Sequence, residues 1–187
     1  MVFGLYLFTN QKITHIMAKV KAKKDAAKSL DELFESCLKD AYWAEKEVKK
    51  ALPKMVENAT SSTLKKALKD HLTETTSQIK TLEKVFKTIK VKPAAEKCDA
   101  MAGILEEGEG ILEGTVIGSV RDAGIIAACQ KVEHYEIASY GTMISYARLL
   151  KNKEGQKLLE TILKEEKNAD KLLSKLATSE INIKADK

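Results

Sequence analysis

Apolar residues return every three or four positions along four long stretches of the chain, the signature of helices that each bury one face. In the first stretch Leu33, Phe34, Cys37, Leu38, Ala41, Ala44, Val48, Leu52 and Met55 form one stripe that runs to about Glu57. Ser29-Leu-Asp-Glu32 precedes it and fits a capping box, in which Ser takes an orphan N–H and Glu reaches back. Pro53 predicts a kink in the last turns. A break at Asn58–Ser62 separates this helix from a second stripe of Leu64, Ala67, Leu68, Ile79, Leu82, Val85 and Phe86, which Lys92-Pro93 ends. A third helix begins near Val120 and carries Ile125, Cys129, Val132, Tyr135, Ser139, Met143 and Ala147. After a tight turn at Lys151–Gly155, a fourth carries Leu158, Leu159, Ile162, Leu163, Ala169, Leu172, Leu173 and Leu176.

Residues 93–119 break this regularity. Glycines at 103, 108, 110, 114 and 118 interrupt a short amphipathic stretch (Met101, Ile104, Leu105, Ile111, Leu112), which reads as a long connection holding a short helix. The order is hairpin, crossover, hairpin. It predicts an all-α fold: a ferritin-like antiparallel four-helix bundle with a short extra helix in the crossover between helices two and three. The bundle is expected over residues 29–177, between an N-terminal extension (1–28) and a C-terminal tail (178–187). Met17 followed by AKVKAKK looks like an ordinary beginning, so residues 1–16 are expected to be an upstream extension.

Composition fits this reading and narrows the function. The 187 residues include only 2 Pro and 5% aromatic residues, which argues against sandwiches and barrels. No stretch approaches the roughly 18 apolar residues needed to span a membrane. Three cysteines (Cys37, Cys98, Cys129) without CxxC spacing suggest a reducing, cytoplasmic setting rather than disulfides or zinc. With 32 Lys+Arg against 27 Asp+Glu the net charge is +5, and the Lys19–Lys24 run reads as a solvated tail, so a nucleic-acid partner is not expected.

Most of those carboxylates belong at the surface, but some lie on the apolar stripes. Glu45 falls between Ala44 and Val48; Glu74 lies between Leu68 and Leu82, with His71 one turn before and Gln78 one turn after. Glu136 sits beside Val132 and Tyr135 with Glu133 flanking the same face, and Glu166 sits between Leu163 and Leu173 with Asp170 one turn on. Glu45 and Glu74 are equidistant from the Asn58–Ser62 break, and Glu136 and Glu166 from the Lys151–Lys153 turn. Each is about 15 residues, roughly 22 Å of helix, from its turn. One such Glu alone is commonly a boundary residue whose head reaches water. Four at matched heights favour a cation site, because buried carboxylates must bind protons or metal. Oxygen and imidazole donors suit iron or manganese. On this reading Glu45, Glu74, Glu136 and Glu166 are the primary ligands and His71 a nitrogen ligand. Gln78 and Asp170 ligate or orient, and His134, two residues from Glu136, is a boundary residue or an outer donor. Tyr42, Tyr135 and Tyr140 are read as packing residues, with electron transfer the alternative role.

The segments DELFESCLKDAYWAEKEVKKALPKM, LKKALKDHLTETTSQIKTLEKVF, KCDAMAGILEEGEGIL, VRDAGIIAACQKVEHYEIASYGTM and LLETILKEEKNADKLLSKLA resemble the YciE/YciF family of ferritin-like proteins over roughly residues 30–177. The resemblance implies a homodimeric bundle of the stress response, labelled a ferroxidase, with two iron ions per chain (or manganese). Its matching positions are Glu45, His71, Glu74, Gln78, Glu133, Glu136, Glu166 and Asp170. The chain departs from the general ferritin and rubrerythrin pattern: His71-x-x-Glu74 reverses Glu-x-x-His, and Ala169 stands where a histidine would follow Glu166. The alternative function is a non-catalytic metal-binding or structural bundle acting through dimerisation or a protein partner.

Overall fold

The computed structural model describes residues 20–24 and 26–187. The expectation for residues 1–16, and Lys19 of the basic run, fall outside the described residues. All regular structure among the described residues is helical: α1 (Leu30–Asn58), α2 (Ser62–Thr88), α3 (Asp99–Gly114), α4 (Ser119–Leu149), α5 (Lys153–Leu176) and a short α6 (Asn182–Ala185). The four long helices form a closed ring of neighbours: α1 packs on α2, α2 on α5, α5 on α4 and α4 on α1. Among the described residues, no helix is long and apolar enough to cross a membrane.

Local chemistry sets the helix ends. Ser29 Oγ accepts from Glu32 N–H at 3.2 Å, but Glu32 reaches back to the Lys28 N–H, 2.7 Å away, so the box closes one residue earlier than expected. Ser61 Oγ starts α2 by accepting from Leu64 N–H, and Asn152 Oδ1 starts α5 by accepting from Gly155 N–H. Pro53 lies inside α1 without ending it. Gly118, ahead of α4, has φ +128° and ψ −156°, a conformation that essentially only glycine adopts.

Three features differ from the sequence expectation. Residues 99–114 form a continuous 16-residue helix despite four glycines, because α3 is held by packing against α4 and α1. One close approach is at Gly124 of α4, where a Cβ would lie 2.6 Å from Ile111 Cγ2 of α3. Gly124→Ala is therefore expected to cost about 1–2 kcal/mol by overpacking. Combined with Ile111→Ala it should cost less than the two single changes summed, measured by denaturant unfolding in a double-mutant cycle. Second, residues 178–187 are not a tail. Helix α5 passes into a π-helical turn at Ala177–Ile181 and then α6, and Ile181 is buried in the same apolar cluster as Leu64, Leu68 and Leu173.

Third, Asp122, which has no place in the apolar pattern, is buried in the first turn of α4. Its carboxylate accepts from the N–H groups of Thr60 and Ser61 at 2.6 and 2.8 Å and from Thr60 Oγ1 at 2.6 Å. An anion from the second hairpin thus satisfies the N–H groups of the two residues just before α2 and lies at the positive end of that helix's dipole.

The apolar interior has two parts. One groups Val48, Leu52, Leu68, Met101 and Ile125 with Leu173; the other groups Phe34, Leu38, Phe86, Tyr140 and Met143 with Ile162. Apart from Asp122, the buried polar residues of the long helices fall between them: Glu45 on α1, His71, Thr75 and Gln78 on α2, Glu133 and Glu136 on α4, and Glu166 on α5.

Candidate metal centre

Helical periodicity explains why these side chains meet. On α4, Cys129, Glu133, Glu136 and Tyr140 follow at steps of four, three and four, the centre line of one face. Tyr135 and Ser139, assigned to the stripe from the sequence, lie half-buried at its edge. On α2 the inward line is Leu68, His71, Thr75, Gln78 and Leu82.

His71, Glu133, Glu136 and Glu166 are all buried, and one ligand atom from each lies within 4.8 Å of the others. His71 Nε2 is 3.3 Å from Glu133 Oε1, but the alignment makes no hydrogen bond. Both ring nitrogens of His71, both oxygens of Glu166, Glu133 Oε2 and Glu136 Oε1 are buried without a hydrogen-bond partner. Native proteins carry only a few such atoms per hundred residues, whereas six of them meet here in one site. Glu45 is also buried, and Tyr140 Oη donates to its Oε1.

Electrostatics makes the same point. Burial pushes the carboxyls of Glu45, Glu133 and Glu136 well above the usual carboxylate range. Mutual repulsion adds to this, from Glu166 for Glu45 and Glu133 and from Glu45 first for Glu136. Glu166 is raised by burial, with His71 opposing the rise. Tyr140, facing Glu45, is held well above its ordinary value by burial and then by that charge. Carboxyls raised on folding stabilise the fold below their unfolded value and lose that contribution as pH rises through the folded values. The metal-free protein is therefore expected to melt at a higher temperature at pH 5.5 than at 7.5, read by circular dichroism. A flat or opposite trend would count against a mutually repelling buried cluster.

Other expected residues lie elsewhere. The Glu74 side chain is 47% exposed, with Oε2 3.8 Å from His71 Nδ1, because Thr75 takes the inward position. Asp170 accepts from Gln130 Nε2 at 3.0 Å and pairs with His134 Nε2 at 3.3 Å, in contacts between α4 and α5. His134 is 70% exposed and makes its contact there. Gln78 Nε2 donates to Glu165 Oε2 at 3.1 Å, while its Oε1 is buried without a partner. Gln130 and Glu165 were not anticipated, since each sits at a stripe edge where polar residues are ordinary. Tyr42 and Tyr135 bond elsewhere, to Glu83 and Cys98.

The donor set fits a hard or borderline cation: one imidazole nitrogen and several carboxylates, without a thiolate. Cys129 lies close by, but burial and then the Glu133 charge push its thiol up to about 12, so it stays protonated at neutral pH.

Residues 29–186 match the family described as a domain of unknown function, DUF892. The chain is 41% identical over 162 residues to protein YciF of Escherichia coli (strain K12), covering 85% of this chain and 96% of that protein. The crystal structure of the E. coli stress protein YciF superposes with a TM-score of 0.80, covering 83% of this chain and 99% of that one. YcfI from Rhodopseudomonas palustris, for which a structural role has been suggested, is 39% identical with a TM-score of 0.79 over 82% of this chain and 98% of that one. A Xanthomonas campestris pv. campestris protein shares the fold at 20% identity, with a TM-score of 0.67 over 84% of this chain and 97% of that one. By the extent and identity of these matches, the chain belongs to the YciF family, DUF892.

Proposed function

We propose that the ring of four long helices is a ferritin-like four-helix bundle, with α3 in its crossover, and that it oxidises Fe(II) with oxygen or peroxide. The observation that carries this reading is the set of unpartnered donor atoms on His71, Glu133, Glu136 and Glu166 at the heart of the fold. These four would hold a metal ion, and Glu45, which feels the charge of Glu166, would contribute to a second. Iron (or manganese) when bound supplies the one-electron redox chemistry that no side chain here provides. The chain's contribution is to hold the donors on four rigid helices and to keep the surroundings apolar on both sides. Tyr140 fixes one Glu45 oxygen by donating to it, leaving the other free to ligate. A role in the stress response and a homodimeric state extend the proposal from the description of E. coli YciF as a stress protein and from the family resemblance.

The test is metal analysis of the purified chain together with Fe(II) oxidation followed by Fe(III) absorbance, for wild type and Glu136→Gln. Stoichiometric metal and catalytic Fe(III) formation are expected for the wild type, both lost in Glu136→Gln. Absence of bound metal in the wild type would remove the proposal. A second reading, a structural bundle without turnover, draws on the role suggested for R. palustris YcfI. Tight Mn(II) binding without Fe(II) turnover would favour it.

A further inference from the structure

We propose that the cleft between α2, α4 and α5 is the path by which a hydrated divalent cation reaches the buried cluster. Glu74 is its outer transfer ligand, and His71 is the side chain separating outer from inner positions. The inference rests on the metal-centre reading above and assigns Glu74 a place in it that the sequence pattern did not.

Glu74 and Asp70 lie at the cleft's exposed rim, with Asn168 and Ala169 on the facing helix, while His71 and Glu133 line its depth. His71 spans the two levels. Its Nδ1 is 3.8 Å from Glu74 Oε2 on the outside, and its Nε2 is 3.3 Å from Glu133 Oε1 on the inside. His71 is 7% exposed and neither ring nitrogen has a hydrogen-bond partner, so the ring presents one unused donor atom toward Glu74 and one toward Glu133. Asp70 is engaged by Lys66, whereas among the described residues no lysine or arginine pairs with Glu74. Glu74 therefore keeps its charge available at the mouth.

A second cavity also reaches His71 and Glu133, from the side of α1 and α3. Its remaining walls are apolar, with Val48, Leu52, Ile104, Leu105 and Val132 among them. A hydrated cation passing there would give up its water without receiving any oxygen ligand in exchange. The cleft, though partly lined by Leu68, Leu172 and Leu173, supplies replacement ligands in order: the Glu74 carboxylate, the His71 imidazole, then Glu133. This makes Glu74 a positioning residue for loading rather than a permanent ligand, and it explains why a glutamate beside the site remains half in solvent.

The experiment follows Co(II) loading of the metal-free full chain by stopped-flow visible absorption, with final Co(II) content measured at equilibrium. Glu74→Gln is expected to load about tenfold more slowly, with a weaker dependence on ionic strength and the same final content. Ala67→Phe, which narrows the cleft without altering charge, is also expected to load more slowly to the same final content. Glu106→Gln, which removes one exposed charge from α3, is expected to load like the wild type. A wild-type rate in Glu74→Gln or in Ala67→Phe overturns the inference. Reduced final Co(II) content in Glu74→Gln also overturns it, because Glu74 would then be a resident ligand. If the wild type itself binds no Co(II), the metal-centre reading fails, and this inference with it.

Discussion

Glu166→Gln is expected to lower metal affinity at least about a hundredfold and, at the same time, to raise the melting temperature of the metal-free protein. Both effects follow from one carboxylate. Glu166 is 0% exposed, and neither of its oxygens has a hydrogen-bond partner. One of its oxygens lies within 4.8 Å of an oxygen of Glu133, an oxygen of Glu136 and a His71 nitrogen, so removing its charge weakens one of the four donors of the set. Without a cation the same charge is offset only in part, by His71, and burial raises its carboxyl above the ordinary value. An uncharged amide of nearly the same shape avoids the repulsion, although it remains an unsatisfied polar group. The net gain is expected to be about 1–2 kcal/mol near neutral pH, or about 2–8 °C in a domain of this size. Mn(II) titration calorimetry and thermal unfolding with and without Mn(II) measure the two effects. A variant that binds like the wild type, or that is destabilised without metal, would show that the cluster is held by something other than a cation.

A large loss of stability outside the cluster is expected from Asp122→Ala, at about 3–4 kcal/mol. The three hydrogen bonds to Asp122 are charge-assisted and largely withdrawn from water, and the change would leave the N–H groups of Thr60 and Ser61 without their acceptor. It would also remove an anion from the positive end of α2. Denaturant unfolding gives the size of the effect, and Asp122→Asn should recover part of it, because the amide oxygen still accepts. A loss below about 1 kcal/mol for the alanine variant would mean that water replaces the carboxylate freely. Metal affinity should be altered far less than stability, since Asp122 lies at the first turn of α4 and the cluster is more than two turns further along.

The polar residues of the interior separate into those the pattern could locate and those it could not. Glu45, Glu136 and Glu166 stood out because each interrupts a stripe of apolar residues at the same distance from a turn, and all three are buried. Glu133 was placed as a flanking residue, yet it joins the tight group, while Tyr135 and Ser139 yield the inward line to Glu136 and Tyr140. On α2 the same ambiguity exchanged Glu74 for Thr75. Threonine beside a glutamate offers no hydropathy contrast, so the pattern could not choose between neighbours. Asp170 fits the stripe as well as Glu166 does, but Gln130 and His134 draw it to the contact between α4 and α5.

The sequence by itself determined where the four long helices lie, how their turns set the heights of the carboxylates, and which donor chemistry the interior would hold. These are local quantities, written in a repeat of about 3.6 residues and in capping residues a few positions apart. Only the tertiary structure decided which of two adjacent polar side chains faces inward, that α3 forms in spite of its glycines, and that Asp122 reaches back to begin α2. A one-residue step turns a side chain by about 100° around the helix. The rotation of each helix is fixed by its packing against two neighbours, and no stripe read in isolation contains that information.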